Sequence, residues 1–110
     1  MLDFDALNDY LDNDRDVIFV VLSTYQEDHG NSLNEIHELV QQQDWGKLHF
    51  TVHTLKGILA SFGEKEATAA LEQVEQNTLN KLAPQDTDLA GLYREIKIIN
   101  QQIDGVLSTY

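Results

Sequence analysis

The sequence predicts an all-α fold: an antiparallel up-down four-helix bundle with a short additional helix at the N-terminus, built as a single domain over residues 1–110. Three observations predict it. Apolar residues recur at steps of three and four through most of the chain, the spacing of one helical face. The one proline, Pro84, leaves long stretches on either side of it free of helix breakers. The 42% hydrophobic and 24% charged residues are ordinary for a folded domain, and 110 residues leave room for one core only.

Leu2, Phe4, Leu7 and Leu11 mark the short first helix, which ends near Asn13. A second pattern starts around Asp14 to Asp16, with acidic residues at the positive end of its dipole. Its apolar face runs through Ile18, Leu22, Tyr25, Leu33, Ile36 and Val40. Val17, Phe19, Val20 and Val21 favour strand by type, but the helical spacing beyond them makes this segment helix. Gly30-Asn31 falls inside the pattern, and Ser32 with Glu35 has the form of a capping box for a fresh start. Because the apolar register continues on both sides, the expectation is one kinked helix.

Asp44 is placed to cap the next helix, and Gly63 to terminate it in a left-handed conformation. A further helix is expected from about Glu64 to Leu82, with Ala67, Leu71, Val74 and Thr78 as its inner stripe. Residues 83–87, Ala-Pro-Gln-Asp-Thr, are the clearest loop. The last helix carries Leu89, Leu92, Ile96, Ile99, Ile103 and Val106, a stripe expected to pack within the monomer and not to form a dimer seam.

Charge and composition exclude several functions. A net charge of −12 opposes binding to nucleic acid or to an anionic membrane surface. With no cysteine there is no disulfide, thiolate metal site or cysteine nucleophile. The longest apolar run, Val17 to Leu22, is too short to span a bilayer, and the acidic N-terminus lacks the basic start of a secretory signal. A cytoplasmic protein of bacterial type is expected.

The chemistry concentrates in the helix after Asp44. At about 100° per residue, Leu48, Val52, Leu55, Leu59 and Phe62 fall within roughly 80° and form a core stripe. His53, Lys56, Gly57 and Ala60 lie on another face, with His49 beside them. A phosphate on an imidazole nitrogen carries about two negative charges, which an ammonium one turn away can partly neutralise. Glycine inside an exposed helix costs about 1 kcal/mol relative to alanine, so Gly57 needs a reason, and close approach of another surface supplies one. Ala60 keeps the same surface low.

The run His53-Thr54-Leu55-Lys56-Gly57-Ile58-Leu59-Ala60-Ser61-Phe62-Gly63 resembles the signature of histidine-containing phosphotransfer (HPt) domains, a His followed by Leu-Lys-Gly with a second glycine ten residues after the histidine. Asp44-Trp45 ahead of Leu48, and Leu71-Glu72 in the following helix, are also similar to the family pattern. The resemblance implies a four-helix HPt bundle in which His53 accepts a phosphoryl group at Nε2 from a receiver-domain aspartyl-phosphate and passes it to another receiver. Lys56 would interact with the phosphate, and Gly57 would leave clearance around the imidazole. Gly63 would shape the turn. The partners implied are response-regulator receiver domains, among them that of a hybrid sensor histidine kinase. The Mg²⁺ would sit on the receiver, with no metal or cofactor of this chain's own. Ile58 departs from the small residue common after Lys-Gly; by its angle it borders the core and bears on partner preference.

The docking surface expected on this helix comprises His49, Phe50, Gly57 and Ala60. For Phe50, receiver docking and packing against the N-terminal helix stand side by side. His49 and His53, at i and i+4, also have the spacing of a zinc pair, but neither a catalytic Glu between them nor a third ligand is evident. His29, His37, Lys47 and Lys65 are read as surface residues. No nucleotide-binding glycine loop accompanies the histidine, so an autonomous ATP-dependent kinase is excluded. The closer alternative is the phosphotransfer domain of a chemotaxis-type kinase, phosphorylated in trans by an ATP-binding domain. Either way the chain is a phosphoryl carrier that completes an active site with a partner.

Overall fold

A computed structural model describes Leu2 and residues 4–109. Among these residues the chain is all helical and without strands: α1 Phe4–Tyr10, α2 Arg15–His29, α3 Ser32–Gln41, α4 Trp45–Ser61, α5 Glu66–Leu79 and α6 Asp86–Leu107. α4 lies against α5 on one side and α3 on the other, and α6 packs on α5, α2 and α3. The assembly is elongated, 42 × 20 × 19 Å.

Helix boundaries follow local chemistry. The Asp14 carboxylate accepts from the amides of Asp16 and Val17 at 3.1 and 3.2 Å and starts α2. Asp44 does the same for α4 through the Lys47 amide, at 3.2 Å. α1 ends at Tyr10, earlier than the expected Asn13, because Asp12 and Asn13 take φ of +55° and +56° and reverse the chain. Asp and Asn tolerate that conformation better than most residues.

The expected kink at Gly30 is instead a break. α2 stops at His29, α3 starts at Ser32, and Gly30 and Asn31 lie between two separate helices. Gly30 stays near helical, φ −61° and ψ −22°, while Asn31 moves to −98° and 10°. The turn is tight enough that a Cβ on Gly30 would fall 2.3 Å from the Gln26 carbonyl oxygen. The apolar register nevertheless continues, with Leu22, Tyr25 and Ile36 all buried. The capping box does not form. Asn31 precedes the helix and its side-chain oxygen accepts from Asn34 Nδ2 at 2.8 Å, while Ser32 is buried in the first turn.

α4 ends as expected at Gly63, φ +75°. The Gly63 amide donates to Ala60 and the Glu64 amide to Leu59, at 3.0 and 3.1 Å, the paired bonds of a Schellman motif. α5 begins at Glu66, two residues later than expected, because Glu64 acts from outside the helix. Its buried carboxylate accepts from the amides of Glu66 and Thr68 at 2.9 and 3.0 Å. The helix ends at Leu79 and not Leu82; Lys81 at φ +58° turns the chain, and Leu82 is exposed.

Cross-helix contacts order the core. His49 reaches Thr78, whereas Lys56 further along α4 pairs with Glu75 further back on α5. Gln26 donates to Asp104, and His37 meets Tyr93 edge-on. All five residues of the α4 stripe are buried, as is the inner stripe of α5. On α6, Leu89, Leu92, Ile96, Ile99 and Ile103 are buried in the same core, so that stripe is spent within the chain. Leu2, ahead of α1, and Leu7 within it add to the core, and α1 sets Ala6 against Gly63.

Gly63→Ala places a side chain at positive φ and should lower unfolding free energy by about 1–2 kcal/mol. Urea denaturation followed by circular dichroism measures the loss.

Candidate functional site

On α4 the buried stripe leaves an outward arc. His53 has 63% of its side chain exposed, while Lys56 lies lower, at 25%, on the side of α5. Gly57 and Ala60 are exposed, His49 is half-buried, and Phe50 is 71% exposed. Phe50 borders a shallow groove with Asp28, His29, Glu35, Thr51 and Thr54, none of them from α1. Ile58 is half-buried against the core, and it lines an apolar groove with Val20, Val21, Thr24 and Phe62 between α2 and α4. His29 packs beside the Tyr25 ring, 5.7 Å between centroids. His37 lies on the α3–α6 side, Lys47 pairs with its own cap Asp44 at 4.0 Å, and Lys65 is exposed.

Gly57 has no conformational need to be glycine: it lies within α4, and a Cβ there would meet nothing within 4 Å. The packing of this chain therefore does not explain the helix-propensity cost of about 1 kcal/mol.

The residue that sequence reasoning missed is Glu75. Its carboxylate lies between His53 and Lys56: one oxygen accepts from His53 Nδ1, and the other pairs with Lys56 Nζ at 2.6 Å. Burial pushes the Glu75 carboxyl up, but the Lys56 ammonium and then the His53 imidazole more than offset this, and the net shift is below the usual carboxylate range. Lys56 is correspondingly held above the ordinary amine value by its hydrogen bond to Glu75; partial desolvation opposes this, and the Glu75 and Glu72 charges add to it. An ionised carboxylate only accepts, so in the neutral imidazole the His53 proton resides on Nδ1 and the lone pair on Nε2. Glu75 follows Val74 of the inner stripe by one position, which marks it as a boundary carboxylate. Which helix it faces is not encoded in that spacing.

His49 is held from the same helix. Its Nδ1 donates to the Glu75 carbonyl at 3.1 Å and lies 3.2 Å from the Thr78 hydroxyl. The two rings are 6.4 Å apart between centroids and 11° from parallel. One zinc ion with bonds of about 2.0–2.1 Å would need the Nε2 atoms to converge, and two parallel rings both anchored through Nδ1 do not do so. Among the described residues no group of three or more His, Asp or Glu is placed to hold a metal ion.

The Hpt domain family model matches residues 20–108. The chain belongs to the Hpt domain family. Members of this family serve histidine phosphotransfer in two-component phosphorelays and interact with receiver domains. The match takes in α3 to α6 and most of α2, and leaves α1 outside. No curated protein and no solved structure matches this Hpt domain. Among the described residues no helix is long and apolar enough to cross a membrane.

Since folding depresses the Glu75 carboxyl, its contribution to stability is present above the unfolded carboxylate value, about 4.3, and is lost as pH falls through the lower folded value. The stability difference between wild type and Glu75→Gln should therefore narrow on acidification from pH 6 to pH 3. Urea midpoints across that range read it directly.

Proposed function

We propose that His53 is the phosphoryl-accepting residue of this Hpt domain, taking the group from a receiver-domain aspartyl-phosphate and passing it to another receiver. The observation that carries this reading is the Glu75 bridge. It supports a tautomer with the proton on Nδ1 and a nucleophilic lone pair on Nε2, on an imidazole that is 63% exposed. In transfer, the Nε2 lone pair forms the new N–P bond as the P–O bond to the receiver aspartate breaks, and that aspartate leaves as a carboxylate. Positive charge develops on the imidazole ring, and Glu75 is placed to balance it. Little acid–base help is needed; in-line positioning and charge stabilisation dominate. The receiver would bring the Mg²⁺ and the acidic pocket, and this chain needs no metal for the step.

Lys56 would meet the phosphate from one turn along α4. Gly57 and Ala60 leave room for the receiver surface, with Phe50 and His49 at its edges. We further assign the helices to an antiparallel up-down four-helix bundle in which α2 and α3 together form one long member. The contact pairs Gln26–Asp104, His37–Tyr93, His49–Thr78 and Lys56–Glu75 support that assignment. Burial of Leu2 and Leu7 in the common core supports one domain over 1–110, and the internal use of the α6 stripe supports a monomer. A cytoplasmic place follows from receivers as partners.

Incubation with a ³²P-labelled receiver should transfer an acid-labile, base-stable label to the protein, and His53→Gln should abolish it while retaining helicity. Persistence of label in that variant would sink the assignment. Labelling by an ATP-loaded kinase domain and by no receiver would favour the chemotaxis-type role. Gly57→Ala should stabilise the isolated domain by about 0.5–1 kcal/mol and yet slow transfer from the receiver. Denaturation and transfer kinetics on the same variant separate the two effects.

A further inference from the structure

The break between α2 and α3 borders a cleft of about 290 Å³, lined by Tyr25, Gln26 and Gly30 on one side and by Asn100, Ile103 and Asp104 of α6 on the other. It shares no residue with the bridge of His53, Lys56 and Glu75, and phosphoryl transfer makes no use of it. One water takes up about 30 Å³, and pockets for small ligands begin near 300 Å³, so the cleft has the size for a molecule of a few carbon atoms. Gly30 brings no side chain into it, since a Cβ there would strike the Gln26 carbonyl oxygen.

Two of the lining side chains carry an oxygen that is buried and has no hydrogen-bond partner among the described residues, Tyr25 Oη and Asn100 Oδ1. Tyr25 as a whole is only 3% exposed. Buried polar atoms are nearly always paired, because an orphan carries its full desolvation cost. Two orphans on facing walls of one cleft point to a partner from outside the chain. The Tyr25 hydroxyl stays neutral at pH 7, as burial pushes it up to about 12. Across the same cleft Gln26 Nε2 donates to the Asp104 carboxylate, which holds that charge in place.

The lining selects the chemistry of that partner. Asp104 is the one charged residue among it, and no Lys, Arg or His lines the cleft. An anion would meet a carboxylate with no cation to offset it, in a chain of net charge −12. A wholly apolar guest would leave both oxygens unpaired. A primary ammonium has three N–H donors and no acceptor, which matches the three acceptors Tyr25 Oη, Asn100 Oδ1 and the Asp104 carboxylate. Ile103 and the Tyr25 ring offer an apolar surface for the carbon chain behind it. We propose that this cleft binds a primary alkylammonium group, supplied by a free small amine or by a lysine side chain of another protein.

Titration of the whole chain with n-butylammonium chloride, followed by ¹H–¹⁵N spectra at pH 7, tests this. The Gly30 and Ile103 amides and the Asn100 side-chain amide should shift saturably, with a Kd in the millimolar range. Sodium and tetramethylammonium chlorides, which bring charge without N–H donors, should give no saturable shift at these positions. Tyr25→Phe keeps the ring and removes a hydroxyl that is bonded to nothing in the chain. It should weaken binding about 5- to 10-fold, as should Asp104→Asn, whereas Glu38→Gln on the exposed side of α3 should not. Equal shifts with all three salts would overturn the proposal, and wild-type spectra alone decide that. Loss on Asp104→Asn without loss on Tyr25→Phe would reduce the effect to surface ion pairing and overturn it as well. Nα-acetyl-lysine N-methylamide separates the two sources. Saturable binding of it together with butylammonium supports a site open to lysine side chains, and binding of butylammonium alone supports a site for free amines.

Discussion

One carboxylate organises the polar face of this domain. Glu75 reaches from α5 to His53 and Lys56 on α4, and its own carbonyl holds His49. Each of these groups would otherwise be a long or freely rotating side chain on a solvated helix, where ion pairs contribute little. Half-buried at the seam between two helices, the bridge restricts two imidazole rings and an ammonium together. It also fixes on which nitrogen of His53 the lone pair lies, which is the property a phosphoryl acceptor requires.

The bridge depends on how α4 and α5 are joined. Gly63 at φ +75° closes the Schellman turn, and the buried Glu64 carboxylate caps the start of α5 two residues later. A different turn would rotate α5 about its axis, and 100° of rotation would carry Glu75 out of reach of α4. Leu71 and Val74 on α5, and Val52 and Leu55 on α4, resist that rotation because all four are buried with no room to turn. The apolar core thus sets a polar geometry at its edge.

The two exposed glycine-related features of the structure have different causes. Gly30 is required by the fold, since a side chain there would strike the Gln26 carbonyl at the break between α2 and α3. Gly57 meets nothing, and no contact within the chain requires it. The apolar groove of Val20, Val21, Ile58 and Phe62 lies on the same side of α4 as Phe50, away from the Glu75 bridge. One flank of His53 is therefore charged and built from α5, and the other joins that apolar groove to a rim bearing Asp28, His29 and Glu35 from α2 and α3.

The sequence by itself determined the helices, their inner stripes and the outward position of His53, because helical period and core burial are local consequences of residue order. Leu48, Val52, Leu55, Leu59 and Phe62 are all buried, and Gly63 ends α4 as its type and place require. What continuity of the apolar register concealed was the break at Gly30, since two residues of near-helical backbone leave the periodicity intact. Only the tertiary structure decided that Glu75 belongs with His53 and Lys56. The 22 residues separating Glu75 from His53 are bridged by the turn at Gly63 and the rotation of α5, and neither is written in the spacing of either helix.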